Sequence, residues 1–161
     1  MGGNSMNTTE INSIPQQHKI NNILFLSLLI GQLLFTAVAV FVVQSGNLGI
    51  PDEELDSIFI IIVPLFGMTA MFISRFIYNK KAELVKMEPD KLKRISVYRT
   101  AKIISWAMVE GAVFFSLVIY IYTSKDVYIA VALFLIGFFI FNRPSKEQFK
   151  EVCNLLESDF R

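Results

Sequence analysis

A chain of 161 residues that is 53% hydrophobic and 18% charged, with a mean hydropathy of +0.51, is too apolar for an ordinary soluble domain. It reads as an all-α polytopic membrane protein whose first partner is the lipid bilayer. A net charge of +1 gives no reason to expect nucleic acid as a partner.

Residues 1–17 are rich in Asn, Ser, Thr, Gln and Gly and hold too little apolar surface to order themselves, so they read as a disordered cytoplasmic tail. Asn7-Thr8-Thr9 has the spacing of a glycosylation sequon, but on a cytoplasmic tail it would meet no glycosylating enzyme. Met6 stands where a myristoylation signal requires Ser or Thr. The first apolar run, 22–43, is too long for a signal-peptide core and has no small-residue cleavage site before Gln44-Ser45-Gly46-Asn47, so it is expected to be a retained span.

Further spans follow over 57–78 and 102–122, each near the roughly 20 residues that cross about 30 Å of hydrocarbon, and a shorter one over 127–141. Gly46, Gly49 and Pro51 mark the first connector as a loop, and Pro64 predicts a kink in span two that frees the carbonyl of Ile60. Residues 79–98 form a basic loop in which Pro89 reads as the first turn of a helix continuing without interruption to Tyr122. Its start is amphipathic, with Leu92, Ile95 and Tyr98 opposed by Lys91, Lys93 and Arg94. The connector Thr123-Ser124-Lys125-Asp126 forces spans three and four to be antiparallel neighbours. Beyond Asn142-Arg143-Pro144, Ser145 and Gln148 have capping-box spacing, and Phe149, Val152 and Leu156 repeat at helical period. Residues 144–161 therefore carry a short amphipathic helix, its apolar face against the membrane surface or the middle loop. Residues 18–143 make an up-down four-helix bundle.

Basic residues set the orientation. Of the 15 Lys and Arg, only Lys125 lies outside the N-terminal tail, the middle connector and the C-terminal tail or their immediate borders, while the first connector carries Asp52, Glu53, Glu54 and Asp56. Both termini and the middle loop are then expected in the cytoplasm. Tyr120, Tyr122 and Tyr128 are expected at the outer interface, Tyr78 and Tyr98 at the inner one, and Lys91, Lys93, Arg94 and Lys102 on lipid headgroups. The acidic connector reads as a solvated face.

Glu110 is the one acidic residue inside an apolar span, and an intramembrane carboxylate is a functional-site hypothesis. Gln32 on span one, Arg75 near the inner end of span two and Thr36 are its expected companions. Small residues at Gly67, Ala70 and Ser74, and at Ala107 and Gly111, would let the helices approach closely enough. An Arg75 contact would make Glu110 a structural lock; without one, Glu110 could bind and release a proton. His18 is the single histidine, and no cluster has metal-ligand spacing. Neither a phosphate loop nor a nucleophile elbow occurs, so no cofactor and no enzymatic activity are expected. Cys153, the single cysteine, reads as an apolar filler.

The run Ala107-Met108-Val109-Glu110-Gly111-Ala112-Val113-Phe114-Phe115-Ser116-Leu117-Val118-Ile119 resembles the carboxylate helix of rotary ATPase membrane-ring subunits. Gln32 set against Glu110 is similar to the duplicated vacuolar-type version, and Ser27 precedes Gln32 by the same interval as Ser105 precedes Glu110. That resemblance implies a proton- or cation-carrying Glu110 in a high-order oligomer. Span two, however, lacks that family's repeated glycines, and Gly111 stands where sodium-binding members carry a hydroxyl. The whole pattern resembles the small uncharacterised four-span membrane proteins of bacteria, which implies a bundle without a stated activity. Two roles follow: a structural or accessory bundle, alone or in a homo-oligomer or larger membrane complex, and a proton- or cation-translocating subunit.

Overall fold

The computed structural model describes residues 14–46 and 53–156, which are all helix and short connection. The helices are α1 (Ile14–Gln44), α2 (Glu53–Met87), α3 (Lys91–Thr123), α4 (Asp126–Phe141) and α5 (Lys146–Cys153). The first three are long and apolar enough to cross a membrane, and α4 raises the number to four when taken with α5, from which it is bent by 61°. The sequon and the Met1–Met6 segment lie outside the described residues.

Two boundaries differ from expectation. Residues 14–17, assigned above to the tail, are the first turn of α1, and Gln17 and Asn21 are buried because this end of the helix docks on the rest of the chain. Most of the expected loop over 79–98 is also helix. Neither Gly nor Pro interrupts 79–87, and Val85, two turns beyond Tyr78, is fully buried, so α2 continues to Met87. Pro89 stands before α3 rather than in its first turn. Asp90 is the N-cap, its carboxylate accepting from the Leu92 amide at 2.9 Å, and so satisfies one of the donors left open at a helix start. Pro64 lies inside α2, which is one continuous helix.

Paired contacts give the helix directions. Phe66 meets Phe115, Ser74 meets Ser105 and Tyr78 meets Tyr98, so numbers fall along α3 as they rise along α2. These two are antiparallel. Phe25 meets Trp106 and Phe35 meets Phe114, so α1 and α3 are parallel. Ser124, in the left-handed region at φ 56°, donates its amide to the Tyr120 carbonyl at 2.8 Å, and α4 turns back along α3 until Phe139 reaches Trp106. The expected up-down connectivity is present, with α3 packed against all four other helices.

Two apolar clusters hold this arrangement. In the first, Phe139 stacks on Phe25 at 4.9 Å and 8° and leans on Trp106, all three buried. A Cβ added at Gly67 would approach Leu135 to 3.2 Å, and Ala70 and Ser74 on the same stripe are buried, so the small residues of α2 do permit close packing. Ala107 and Gly111 do not: both are exposed, and nothing lies within 4 Å of a Cβ at Gly111. The second cluster joins Val85, Ile95, Tyr98, Phe149, Val152 and Cys153, so the apolar face of α5 covers the hairpin between α2 and α3. Leu156, expected on that face, is exposed. The outward faces of α1 and α2 carry Leu34, Phe41, Ile61 and Phe72, each more than half exposed. Such a surface suits hydrocarbon.

Candidate functional site

Glu110 lies at the edge of the α1–α3 contact, half-buried, on the stripe of Trp106 and Phe114. Asn21 pairs with Arg99, Phe25 with Trp106 and Phe35 with Phe114, offsets of 78, 81 and 79 positions. The same offsets carry Gln32 to the layer of residues 110 to 113. Gln32 is 0% exposed, and neither its amide oxygen nor its amide nitrogen has a hydrogen-bond partner among the described residues. Thr36 lies one turn on and spends its hydroxyl on the Gln32 backbone carbonyl at 2.8 Å.

Arg75 does not join this layer. Its neighbour Ser74 shares a 2.6 Å hydrogen bond with Ser105, so this part of α2 faces the Ser105 side of α3. Five residues at about 100° each turn Glu110 roughly 140° away from that side. Arg75 is exposed, and among the described residues no ion pair or hydrogen bond joins it to Glu110. The two side chains could be matched in depth from sequence, but their rotation about the helix axes separates them.

A second polar site, unanticipated as a site, lies at the α5 end. Lys102 is only 4% exposed, and its Nζ donates to Gln148 Oε1 at 2.8 Å. The ammonium also lies 4.4 Å from the centre of the Tyr78 ring and 5.9 Å from that of Tyr98. It is thus held by an amide oxygen and two ring faces, all neutral. Ser145 accepts the Gln148 amide at 3.1 Å, the backbone half of a capping box, which frees the Gln148 side chain to reach Lys102. Trp106 Nε1 donates to the Asn142 carbonyl at 3.3 Å and ties the end of α4 to the same place. The available sequence signal was the stripe Tyr98, Lys102, Ser105 and Val109, which sets a lysine among residues of a buried face. Gln148 is 46 positions away and carried no such signal.

The expected headgroup contacts divide. Lys91 and Lys93 are exposed, but Arg94 turns inward, donating from Nη1 to the Cys153 carbonyl at 3.0 Å and from Nη2 to the Pro89 carbonyl at 3.1 Å. A cation is favoured there because the last carbonyls of α5 point toward it. Lys102 is buried beneath α5 and does not extend outward as a snorkelling chain. Of the tyrosines expected in the aromatic belt, Tyr98, Tyr120 and Tyr128 are buried against other helices, while Tyr122 is exposed. Tyr128 donates to Asp56 at 2.8 Å, and Lys125 forms an ion pair with the same carboxylate. The Lys125 hydrogen bond, followed by that of Tyr128, holds Asp56 below its ordinary carboxyl range. The rest of the acidic patch gives less: Asp52 and the side chain of Glu53 lie outside the described residues. Cys153 is fully buried and fills the α5 cluster, and burial pushes its thiol up to about 12.

No family model, curated protein or solved structure matches the chain.

Proposed function

We propose that the chain is an accessory membrane protein, a four-span bundle of the bacterial inner membrane with both termini in the cytoplasm. Its role is to present a folded cap at the inner face rather than to catalyse a reaction. The observation that supports this reading is the convergence of three helices, α1, α3 and α5, at one end of the bundle. Asn21 of α1 accepts from Arg99 at 3.2 Å, Lys102 holds Gln148, Arg94 holds the end of α5, and the His18 and Phe149 rings meet at 5.6 Å. Polar side chains are thereby spent on joining the N-terminal helix, the central hairpin and the C-terminal helix into one platform.

Cysteines introduced singly at exposed Lys93 and at exposed Ser45, in a Cys153→Ser background, test the orientation. A membrane-impermeant maleimide applied to inside-out vesicles labels the first and spares the second on this reading; the reverse pattern refutes it. In mild detergent the accessory role expects a monomer or small oligomer.

The second reading, a proton- or cation-handling subunit, draws on the Gln32 amide, which has no hydrogen-bond partner among the described residues and lies in the layer of Glu110. A carboxyl left without a cation in hydrocarbon favours the neutral acid. It expects prompt carbodiimide labelling of Glu110 that weakens as pH rises, together with a closed high-order ring. A dimer or monomer whose Glu110 is inert to the reagent sinks it.

A further inference from the structure

A cavity of about 290 Å³ opens at the α5 end, lined by Arg75, Tyr78, Asn79, Lys102, Asn142 and Gln148 among others. Among the described residues that line it, two are cations and none is a carboxylate. Glu151, on the next turn of α5 from Gln148, is exposed and does not line it. A buried ammonium is costly unless paired with an anion or well hydrogen-bonded, yet among the described residues Lys102 has only a neutral amide oxygen and two rings. The Tyr78 hydroxyl is buried in the same wall, close to the Gln148 and Tyr98 side chains. A buried ammonium held only by neutral groups and a guanidinium on one polar cavity describe a receptor for an oxyanion. A water takes about 30 Å³ of liquid volume, so a tetrahedral anion fits with water to spare.

We propose that this cavity binds a phosphate group, with Lys102 as the buried point charge, Arg75 as the bidentate ligand at the mouth, and Asn79 as a neutral donor. Arg75 thus has a role away from Glu110. The phosphate has two sources: a free anion from the aqueous phase, or the headgroup of an anionic phospholipid lying with its chains along the apolar groove above. In that groove Met68, Met71, Phe72 and Phe138 continue from Arg75 along α2 and α4. The lipid source rests on the membrane placement proposed above. The free-anion source does not.

The test uses the full chain purified in a neutral maltoside detergent and exchanged into phosphate-free chloride buffer. One arm titrates inorganic phosphate at constant ionic strength; the other titrates phosphatidic acid in mixed micelles, with phosphatidylcholine as its zwitterionic control. Binding is read by retained radiolabelled phosphate and by native mass spectrometry for lipid. Saturable binding in either arm, weakened at least tenfold in Arg75→Gln, supports the proposal. The arm that responds names the source. Because Arg75 is exposed, this variant keeps the assay interpretable even if Lys102→Met fails to fold. Absence of saturable binding in both arms overturns the proposal, as does binding that Arg75→Gln leaves within twofold of the parent.

Discussion

Replacing Lys102 with Met removes a buried charge while keeping most of the side chain's volume, and the structure sets what this does to stability. Lost are a charge-assisted hydrogen bond to Gln148, about 1.5–3 kcal/mol, and a desolvated cation–π contact with Tyr78, about 2 kcal/mol. Regained is the desolvation of an ammonium that is 4% exposed, several kcal/mol after relaxation. These terms offset to within about 1 kcal/mol, so Lys102→Met should be nearly neutral in phosphate-free buffer. Gln148→Leu has no such offset, because it leaves the ammonium buried and removes its hydrogen bond. It should cost about 1.5–3 kcal/mol, whereas the double variant returns close to Lys102→Met, giving a coupling of similar size. Denaturant unfolding in mild detergent, followed through the fluorescence of Trp106, reads all four proteins. That residue is the single tryptophan and is tied to Asn142 beside the cavity. A Lys102→Met cost exceeding that of Gln148→Leu, or strictly additive costs, would refute the reasoning, since the lysine would then be a structural lock rather than a charge awaiting an anion.

Phe139→Ala empties the centre of the Phe25 and Trp106 stack and should destabilise the bundle by about 3–5 kcal/mol, read from the same unfolding curves; a loss below about 1 kcal/mol would show that the stack does not hold the helices. Cys153, with its thiol pushed up to about 12 by burial, should resist maleimide at neutral pH in the folded protein and react at the rate of a free thiol once unfolded, which mass spectrometry over time reports. Asp56 has its folded value lowered from 3.8 by Lys125 and then by Tyr128, so its contribution to stability is present above about pH 4 and lost as pH falls through the depressed value. Melting temperatures across that acid range should therefore fall more steeply for the parent than for Asp56→Asn, and equal slopes would count against the ion pair. Glu110→Gln should shift stability by less than about 1 kcal/mol in the same assay, because no ion pair to Arg75 is lost.

The existence of the long helices, their order and the antiparallel turn at Thr123 to Lys125 were legible in the sequence. Hydropathy, helical period and turn residues are local properties, and the helices that display them are stabilised locally. Length misled where tertiary contact extended an element: residues 14–17 and 79–87 carry no strong apolar signal of their own and are helical where they dock on α5 and α3. The capping role of Ser145 was readable from spacing, yet the use of the freed Gln148 side chain was not. Depth within the bundle was likewise accessible, since residues rise about 1.5 Å each along a helix, and Gln32 and Glu110 do share a layer. Rotation was not. Whether Arg75 faces Glu110 or the cavity beneath α5 depends on which stripe of α2 meets which stripe of α3, and the buried Ser74–Ser105 bond marks that stripe. The sequence by itself determined that this chain is a set of apolar helices carrying one acidic residue in an apolar span. Only the packing of those helices decided that Arg75 and Lys102 share a cavity with no carboxylate, because that juxtaposition joins residues dozens of positions apart through helix rotation.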